Sequence, residues 1–235
     1  MKITQQIIKH PTKKYSIQTY HVTNEDEIIK KARRFAQNSA KNLNDHAPSG
    51  RKRSEEEKFR VCFGGHLAEL VTAEYLQEIF NRNHISGDIK QNLFEDEMST
   101  DAADIDILIV TKNKTISCEV RSSFPFLIKP WNFDVIFNKQ FDILGWYTAK
   151  HKPVEQIKDF YFRIIYYMHP KSILEKLDSG KLQVHLAGGA SKELLELKGY
   201  DTSFKQSGAT FRAIKPITEG MDIFEMQEWF INKLI

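Results

Sequence analysis

A mixed α/β sheet flanked by helices is the fold class that this sequence predicts, and three observations predict it. Short apolar runs with strand character recur at Tyr15–Val22, Ile105–Val110, Ile116–Arg121 and Asp159–Met168. Other segments repeat their apolar residues at helical spacing, above all Glu55–Asn83. The chain has 235 residues, 41% hydrophobic and 28% charged, which suffices to bury one sizeable core, so a single domain is expected.

The elements follow in order. Residues 3–8 and 15–22 read as extended and are expected to pair as an N-terminal hairpin. Asn24–Asn44 reads as an amphipathic helix, with Asn24 as its cap and acidic residues in its first turn. Ala47–Ser54 (APSGRKRS) has loop chemistry. Within Glu55–Asn83, residues Phe63, Leu67, Leu70, Val71, Ala73, Leu76 and Phe80 define one long helix or two short ones. Gly64 and Gly65 interrupt that pattern, which predicts a break or a close packing contact there. Ile89–Phe94 reads as a strand. Asp159–Met168 and Leu182–Leu186 read as two more, and Phe204–Ile214 is expected to continue the sheet. Helices are expected at Lys171–Leu177, Ser191–Leu197 and Met221–Leu234, with Ser191 as a cap.

The chemistry concentrates in Thr100–Ser123. Ile105, Ile107 and Ile109 alternate with Asp106, Leu108 and Val110, so both faces of this first strand carry apolar groups, as in a covered sheet. Lys112, Asn113 and Lys114 form a polar turn that returns the chain antiparallel. In the second strand Ile116, Cys118 and Val120 point one way, and Ser117, Glu119 and Arg121 the other. Charges of that kind are rarely buried unless paired or bound to metal. Glu119 and Arg121 therefore face water, pair across strands, or belong to a site. Glu69 lies in HLAELVTAEYL, among residues that should face a core. Alone it reads as a solvated helix residue; with Asp106 and Glu119 it is a candidate third carboxylate.

A helix bearing Glu, an Asp at a strand start and a Glu-x-Arg on the next strand together resemble the PD-(D/E)XK nuclease superfamily, which has the restriction-endonuclease-like fold. The resemblance spans Gly65–Ser123, and the run Cys118–Ser123 (CEVRSS) is similar to the family's E-V-K-S-S strand. It implies that Asp106, Glu119 and Glu69 hold Mg²⁺, with Mn²⁺ as a substitute, and that these acids and Arg121 are the catalytic set. Glu119 lies 13 positions after Asp106, and Asp104 competes with Asp106 on the same strand face. Arg121 stands where the family most often has Lys. Arginine is a poor base, because it does not readily release its proton, but it can clamp a phosphate oxygen and stabilise transition-state charge. Lys129 and Lys139 are candidate substitutes for the missing lysine. The resemblance also implies that the acids are unpaired before metal binds.

The implied activity is Mg²⁺-dependent endonucleolytic hydrolysis of DNA, as in a type II restriction endonuclease, with a repair or recombination nuclease as the competing role. A catalytically inactive nucleic-acid-binding protein on the same fold is the alternative from another class, with Arg121 as its marker. Double-stranded DNA and a homodimeric copy are the implied partners, with no membrane and no small-molecule cofactor. One nuclease-like domain over 1–235 would then comprise an N-terminal strand and helix region (1–50), a catalytic core (54–168) and C-terminal strands and helices (169–235).

Charge and composition fit this picture without selecting it. A net charge of +3 permits nucleic-acid binding. Basic residues cluster at Lys30, Lys31, Arg33 and Arg34, and again at Arg51, Lys52 and Arg53, where phosphate contact and a solvated charged surface are the two readings. The aromatics from Phe124 to Tyr147 either stack on bases or fill core and loops. His66 and Glu69 have the spacing of a zinc pair, but a second ligand set is missing. No apolar run reaches membrane-spanning length, no signal-peptide core is visible, and two cysteines make no disulfide framework, so a reducing cytoplasm is expected.

Overall fold

Every residue of Phe160–Ile165 is buried, which requires an apolar layer on both faces of that strand. The computed structural model contains both layers; it describes residues 1–43, 52–91, 105–125, 132–149, 156–204 and 209–235. In chain order the elements are β1 (Lys2–Lys9), β2 (Lys14–Val22), α1 (Glu27–Asn42), α2 (Glu55–Arg82), β3 (Gly87–Gln91) and β4 (Ile107–Thr111). There follow β5 (Thr115–Ser123), α3 (Phe133–Gln140), β6 (Ile143–Ala149), β7 (Phe160–Ile165) and α4 (Ile173–Asp178). The chain ends with β8 (Leu182–Ser191), α5 (Lys192–Lys198), β9 (Tyr200–Phe204), β10 (Ala209–Ile214) and α6 (Ile223–Leu234).

Seven strands form the main sheet in the order β1-β2-β8-β7-β5-β4-β3. Neighbouring strands run antiparallel except β5 and β7, which are parallel, with Glu119 beside Tyr161 and Arg121 beside Arg163. The expected mixed α/β sheet with flanking helices is thus observed. One face is covered by α1, α2, α4 and α6, through Leu67, Val71, Phe162, Met226 and Phe230 among others. The opposite face is covered by α3, α5 and the inner edge of a second sheet, through Ile136, Phe137, Tyr161, Ile165 and Leu195. Fully burying side chains of this size contributes roughly 1.5–3 kcal/mol each, so the two layers dominate the folding energy.

Several sequence expectations need correction. Phe204–Ile214 does not continue the main sheet: β10 pairs with β6 and β9 in a separate three-stranded sheet, where Ile214 buries in the second layer. The aromatic-rich stretch after the hairpin contains α3 and β6, which periodicity did not reveal because both are short. Asn132 caps α3 by accepting from the Val135 N–H at 3.1 Å. Phe137 and Phe141 are buried and pack against each other and against the partly exposed Phe133; Phe126 and Trp131 lie outside the described residues. Helix α1 starts at Glu27 behind Asp26, and Asn24 instead donates to Asp178 at 3.1 Å and accepts from Arg33 at 3.0 Å. With Lys30 paired to Glu27 and Arg33 to Asp178, part of that helix's basic charge is neutralised locally. Strand β3 covers Gly87–Gln91, and the remainder of the expected Ile89–Phe94 strand is outside the described residues.

Helix α2 is continuous through Gly64 and Gly65, so of the two alternatives expected there, a break or a close packing contact, the contact is the one found, at Gly64. Its start is capped by Ser54, whose side chain accepts from the Glu57 N–H at 3.1 Å. The glycines have different roles. The Gly64 carbonyl accepts from the Tyr166 hydroxyl at 2.7 Å, and the Phe124 ring lies so close that an added Cβ would sit 2.7 Å from its Cζ. Phe124 in turn stacks on Tyr166 with ring centroids 4.7 Å apart. Gly64 therefore lets α2 approach the ends of β5 and β7, and the helix then presents Glu69 at that same end. An added Cβ at Gly65 meets nothing within 4 Å.

Two substitutions separate these roles. Gly65→Ala should stabilise the protein by about 0.5–1 kcal/mol through helix propensity. Gly64→Ala should destabilise it by roughly 1–3 kcal/mol, because overpacking against two stacked rings outweighs the same propensity gain. Urea unfolding of both variants checks the contrast; equal signs would show that Gly64 does not set the helix approach.

Candidate functional site

Asp106 stands just before β4, where the β4–β5 ladder has ended at Ile107 opposite Cys118. Its Oδ2 accepts from the Val120 N–H at 2.7 Å, so the carboxylate takes the place of the next ladder partner of β5. Asp106 retains some surface yet is enclosed by protein on most sides. Burial and then the charge of Glu69 raise its pKa, against the opposing effects of the Val120 N–H, Arg121 and Lys158, to about 7. Glu69 thus lies within electrostatic reach of Asp106.

The third acid has a different partner. Glu119 Oε1 lies 3.1 Å from Arg121 Nη1, two residues on along the same face of β5. The Arg121 guanidinium also lies over the Tyr147 ring at 5.6 Å and the Phe211 ring at 5.9 Å, both from the second sheet. Next to it, Arg163 is buried and bonds the Asp142 carbonyl at 2.8 Å and its carboxylate at 3.2 Å, while its Nη1 donates to the Arg121 carbonyl at 3.3 Å. Burial lowers the pKa of Arg163 and Asp142 counteracts this. The expectation of unpaired acids is therefore corrected: Glu119 pairs with Arg121, Glu69 Oε2 lies 3.2 Å from His66 Nδ1, and Asp106 accepts a backbone N–H. The physical reason is enclosure, since a carboxylate held away from water takes whatever donor is nearest. His66 in turn contacts Ser39 Oγ at 2.8 Å, which explains the H-x-x-E spacing without zinc.

Lys158 was missed by sequence reasoning. Its side chain is fully buried and its charge acts on Asp106. A lysine one residue ahead of a run of apolar residues, with Asp159 between, was the available signal. Arg163, within that run, was the other.

The remaining candidates are placed as follows. Lys52 is exposed and Arg53 partly buried, immediately before the cap of α2. Burial pushes the Cys62 thiol up, with Arg53 lowering it and Glu69 raising it, so the basic loop end and the acids bracket one stretch of helix. Lys139 is exposed at the end of α3. Arg51, Asp104 and Lys129 lie outside the described residues.

The donor set tests whether a divalent cation fits. Among the described residues no three His, Cys, Asp or Glu side chains cluster closely enough to hold a metal ion. Mg²⁺, however, is commonly held by only one or two carboxylates, with water and substrate oxygens completing its shell. Glu69 and Asp106, two hard oxygen donors that repel each other, fit that pattern; Glu119 is committed to Arg121.

The raised pKa makes a signed prediction. Below the ordinary carboxylate range Asp106 is protonated in both folded and unfolded states. Between about 4 and about 7 the folded state holds the extra proton, so stability falls as pH rises through that window. Asp106→Asn removes this dependence, so its melting temperature relative to wild type should increase from pH 4 to pH 8. A pH-independent difference in thermal unfolding would show that Asp106 is not strained by its surroundings.

Among the described residues no helix is long and apolar enough to cross a membrane, and Cys62 and Cys118 are free thiols. No protein-family model matches the chain. No solved structure matches it. An uncharacterized protein of Methanocaldococcus jannaschii is 30% identical over 221 residues, covering 82% of this chain and 78% of that protein. With more than two thirds of both chains aligned at that identity, the chain belongs to the family of this archaeal protein.

Proposed function

We propose that this protein is a divalent-metal-dependent nuclease that hydrolyses phosphodiester bonds in DNA. The observation that carries the reading is the enclosed Asp106 carboxyl, raised to about 7 by burial and by Glu69. Two acids that disfavour each other's ionisation have an electrostatic reason to bind a cation. The order of a Glu-bearing helix, an Asp at a strand start and Glu-x-Arg on the next strand supports the same reading through its resemblance to PD-(D/E)XK nucleases.

Glu69 and Asp106 would hold Mg²⁺, or Mn²⁺ in its place. When bound, the ion supplies Lewis-acid neutralisation of the charge that develops on the phosphoryl group. Hydrolysis forms a bond from a water oxygen to phosphorus and breaks the bond to one ester oxygen, which leaves with a proton. Arg121 presents N–H groups suited to the non-bridging oxygens. Glu119, Tyr147 and Phe211 hold that guanidinium in place, so little side-chain freedom remains to be lost when phosphate arrives. Lys158 adds a second buried positive charge beside Asp106. Arg51, Lys52 and Arg53 would contact the phosphate backbone outside the reacting group. A reducing cytoplasm is the compartment that goes with free thiols and a DNA substrate.

A second reading has its own observation. The Glu119–Arg121 ion pair, with Arg at the position where the resembling nucleases carry Lys, favours a protein that binds nucleic acid without cutting it.

Incubation of supercoiled plasmid with the protein in Mg²⁺ or Mn²⁺ should give nicked or linear DNA, and chelation should stop it. Asp106→Asn and Glu69→Gln should each lower the rate by about a hundredfold or more, equivalent to about 2.7 kcal/mol of activation energy. DNA retained without cleavage would leave the binding reading. Neither retention nor cleavage would overturn both.

A further inference from the structure

We infer that a cavity where β7 ends and β8 begins is a nucleotide-binding pocket, with a base seated on an aromatic corner and its phosphate held by Lys176 and Lys181. This site is separate from the acidic centre and does not rest on the nuclease reading. The cavity has a volume of about 600 Å³, within the range that encloses small ligands.

Its construction follows from three chain segments. The β7–β8 register sets Ile165 opposite His185, so the residues after β7, including Tyr167, run alongside the start of β8. Phe133, the first residue of α3, meets Tyr167 edge-on, with ring centroids 4.8 Å apart and planes at 73°. His185 lies 5.1 Å from the Phe133 ring, and its Nδ1 is within 2.9 Å of Thr19 Oγ1, which fixes the imidazole. Burial lowers the His185 pKa to about 4, so this ring is neutral at physiological pH. Phe133 and Tyr167 both keep partial exposure. Together they form an aromatic corner open to the cavity, the kind of surface on which any base can stack.

The polar lining points to an anion with a hydrogen-bonding edge. Helix α4 ends in a turn in which the Lys181 N–H donates to the Lys176 carbonyl at 2.7 Å and the Gly180 N–H donates to Leu177 at 2.9 Å. Gly180 takes the left-handed conformation that such a cap requires, at φ 65°. That turn brings both lysines to one rim of the cavity. Among the described residues neither has a carboxylate within ion-pair distance, so both ammonium groups can meet a phosphate. The Tyr167 ring contributes to the cavity wall, while its hydroxyl is turned into the protein and out of reach of a ligand. Gln183 offers an amide that can both donate and accept, and Asp134 an acceptor, for a base edge or a sugar hydroxyl. A purely apolar ligand would leave these groups unmatched, and a bare anion would leave the aromatic corner unused.

The nucleotide could be free or the terminal nucleotide of a strand, and one experiment separates the sources. Isothermal titration calorimetry on the full chain would compare adenosine 5′-monophosphate, adenosine, inorganic phosphate and a 5′-phosphorylated dinucleotide. The monophosphate should bind saturably at one site, with adenosine and phosphate each at least about tenfold weaker. A dinucleotide as tight as the monophosphate would identify a strand end, and a much weaker one a free nucleotide; either supports the pocket. The double substitution Lys176→Ala with Lys181→Ala should reduce monophosphate affinity about to that of adenosine, and Tyr167→Ala, which removes the stacking ring, should weaken it about tenfold. Unaltered thermal unfolding of the lysine double variant, with Asp106→Asn binding the monophosphate like wild type, keeps the result independent of the nuclease reading. Absence of saturable monophosphate binding at several millimolar, or unchanged affinity in the lysine double variant, would overturn the inference.

Discussion

The central strand β7 has no face open to water, and much of this structure follows from that constraint. Phe160, Phe162 and Ile164 enter one apolar layer while Tyr161 and Ile165 enter the other. A charge on this strand or its neighbours has no solvent to shield it, so it must find compensation within the protein. Arg163 does so through Asp142, Arg121 through Glu119 and two aromatic rings, and Asp106 through a backbone N–H and nearby positive charges. The polar groups of the protein's middle therefore collect where β5 and β7 run side by side. That is a consequence of burial before it is a feature of any reaction.

Compensation is incomplete at one point. Asp106 gains the Val120 hydrogen bond and the attraction of Arg121 and Lys158, yet burial and Glu69 outweigh them. Buried charge pairs are poor contributors to stability, because desolvation consumes most of their attraction, so retaining an acid there weakens the fold at neutral pH. Such local strain is common at functional positions. The same reasoning gives Glu119 a different part from Asp106: it is satisfied, and what it does is orient a guanidinium.

The helix side of the site depends on backbone contact. Gly64 allows α2 to lie against Phe124 and Tyr166, and that approach brings Glu69 into the field of an aspartate distant in sequence. The second sheet contributes from the opposite side, where Tyr147 and Phe211 flank Arg121. The acidic centre is thus assembled from a helix, a strand pair and a separate sheet, and each element is held by its own apolar layer. Where β7 ends and β8 begins, a left-handed glycine at the end of α4 and the β7–β8 register build a cavity of different character, aromatic and basic.

The sequence by itself determined those features whose physics is local. The N-terminal hairpin, the long α2 and the Ile105–Arg121 strand–turn–strand were legible because two- and 3.6-residue periodicities state which face is buried. Asp106, Glu119, Arg121 and Glu69 were legible as charges set among apolar neighbours. Tertiary structure decided what those charges meet: Glu69 shares its surroundings with Asp106, whereas Glu119 turns to Arg121. It also decided that β10 belongs to a second sheet, that Gly64 is a contact and not a break, and that Lys158 is buried. None of these is written in spacing, because desolvation and Coulomb energy depend on distances between residues far apart in the chain, which exist only once both apolar layers have closed.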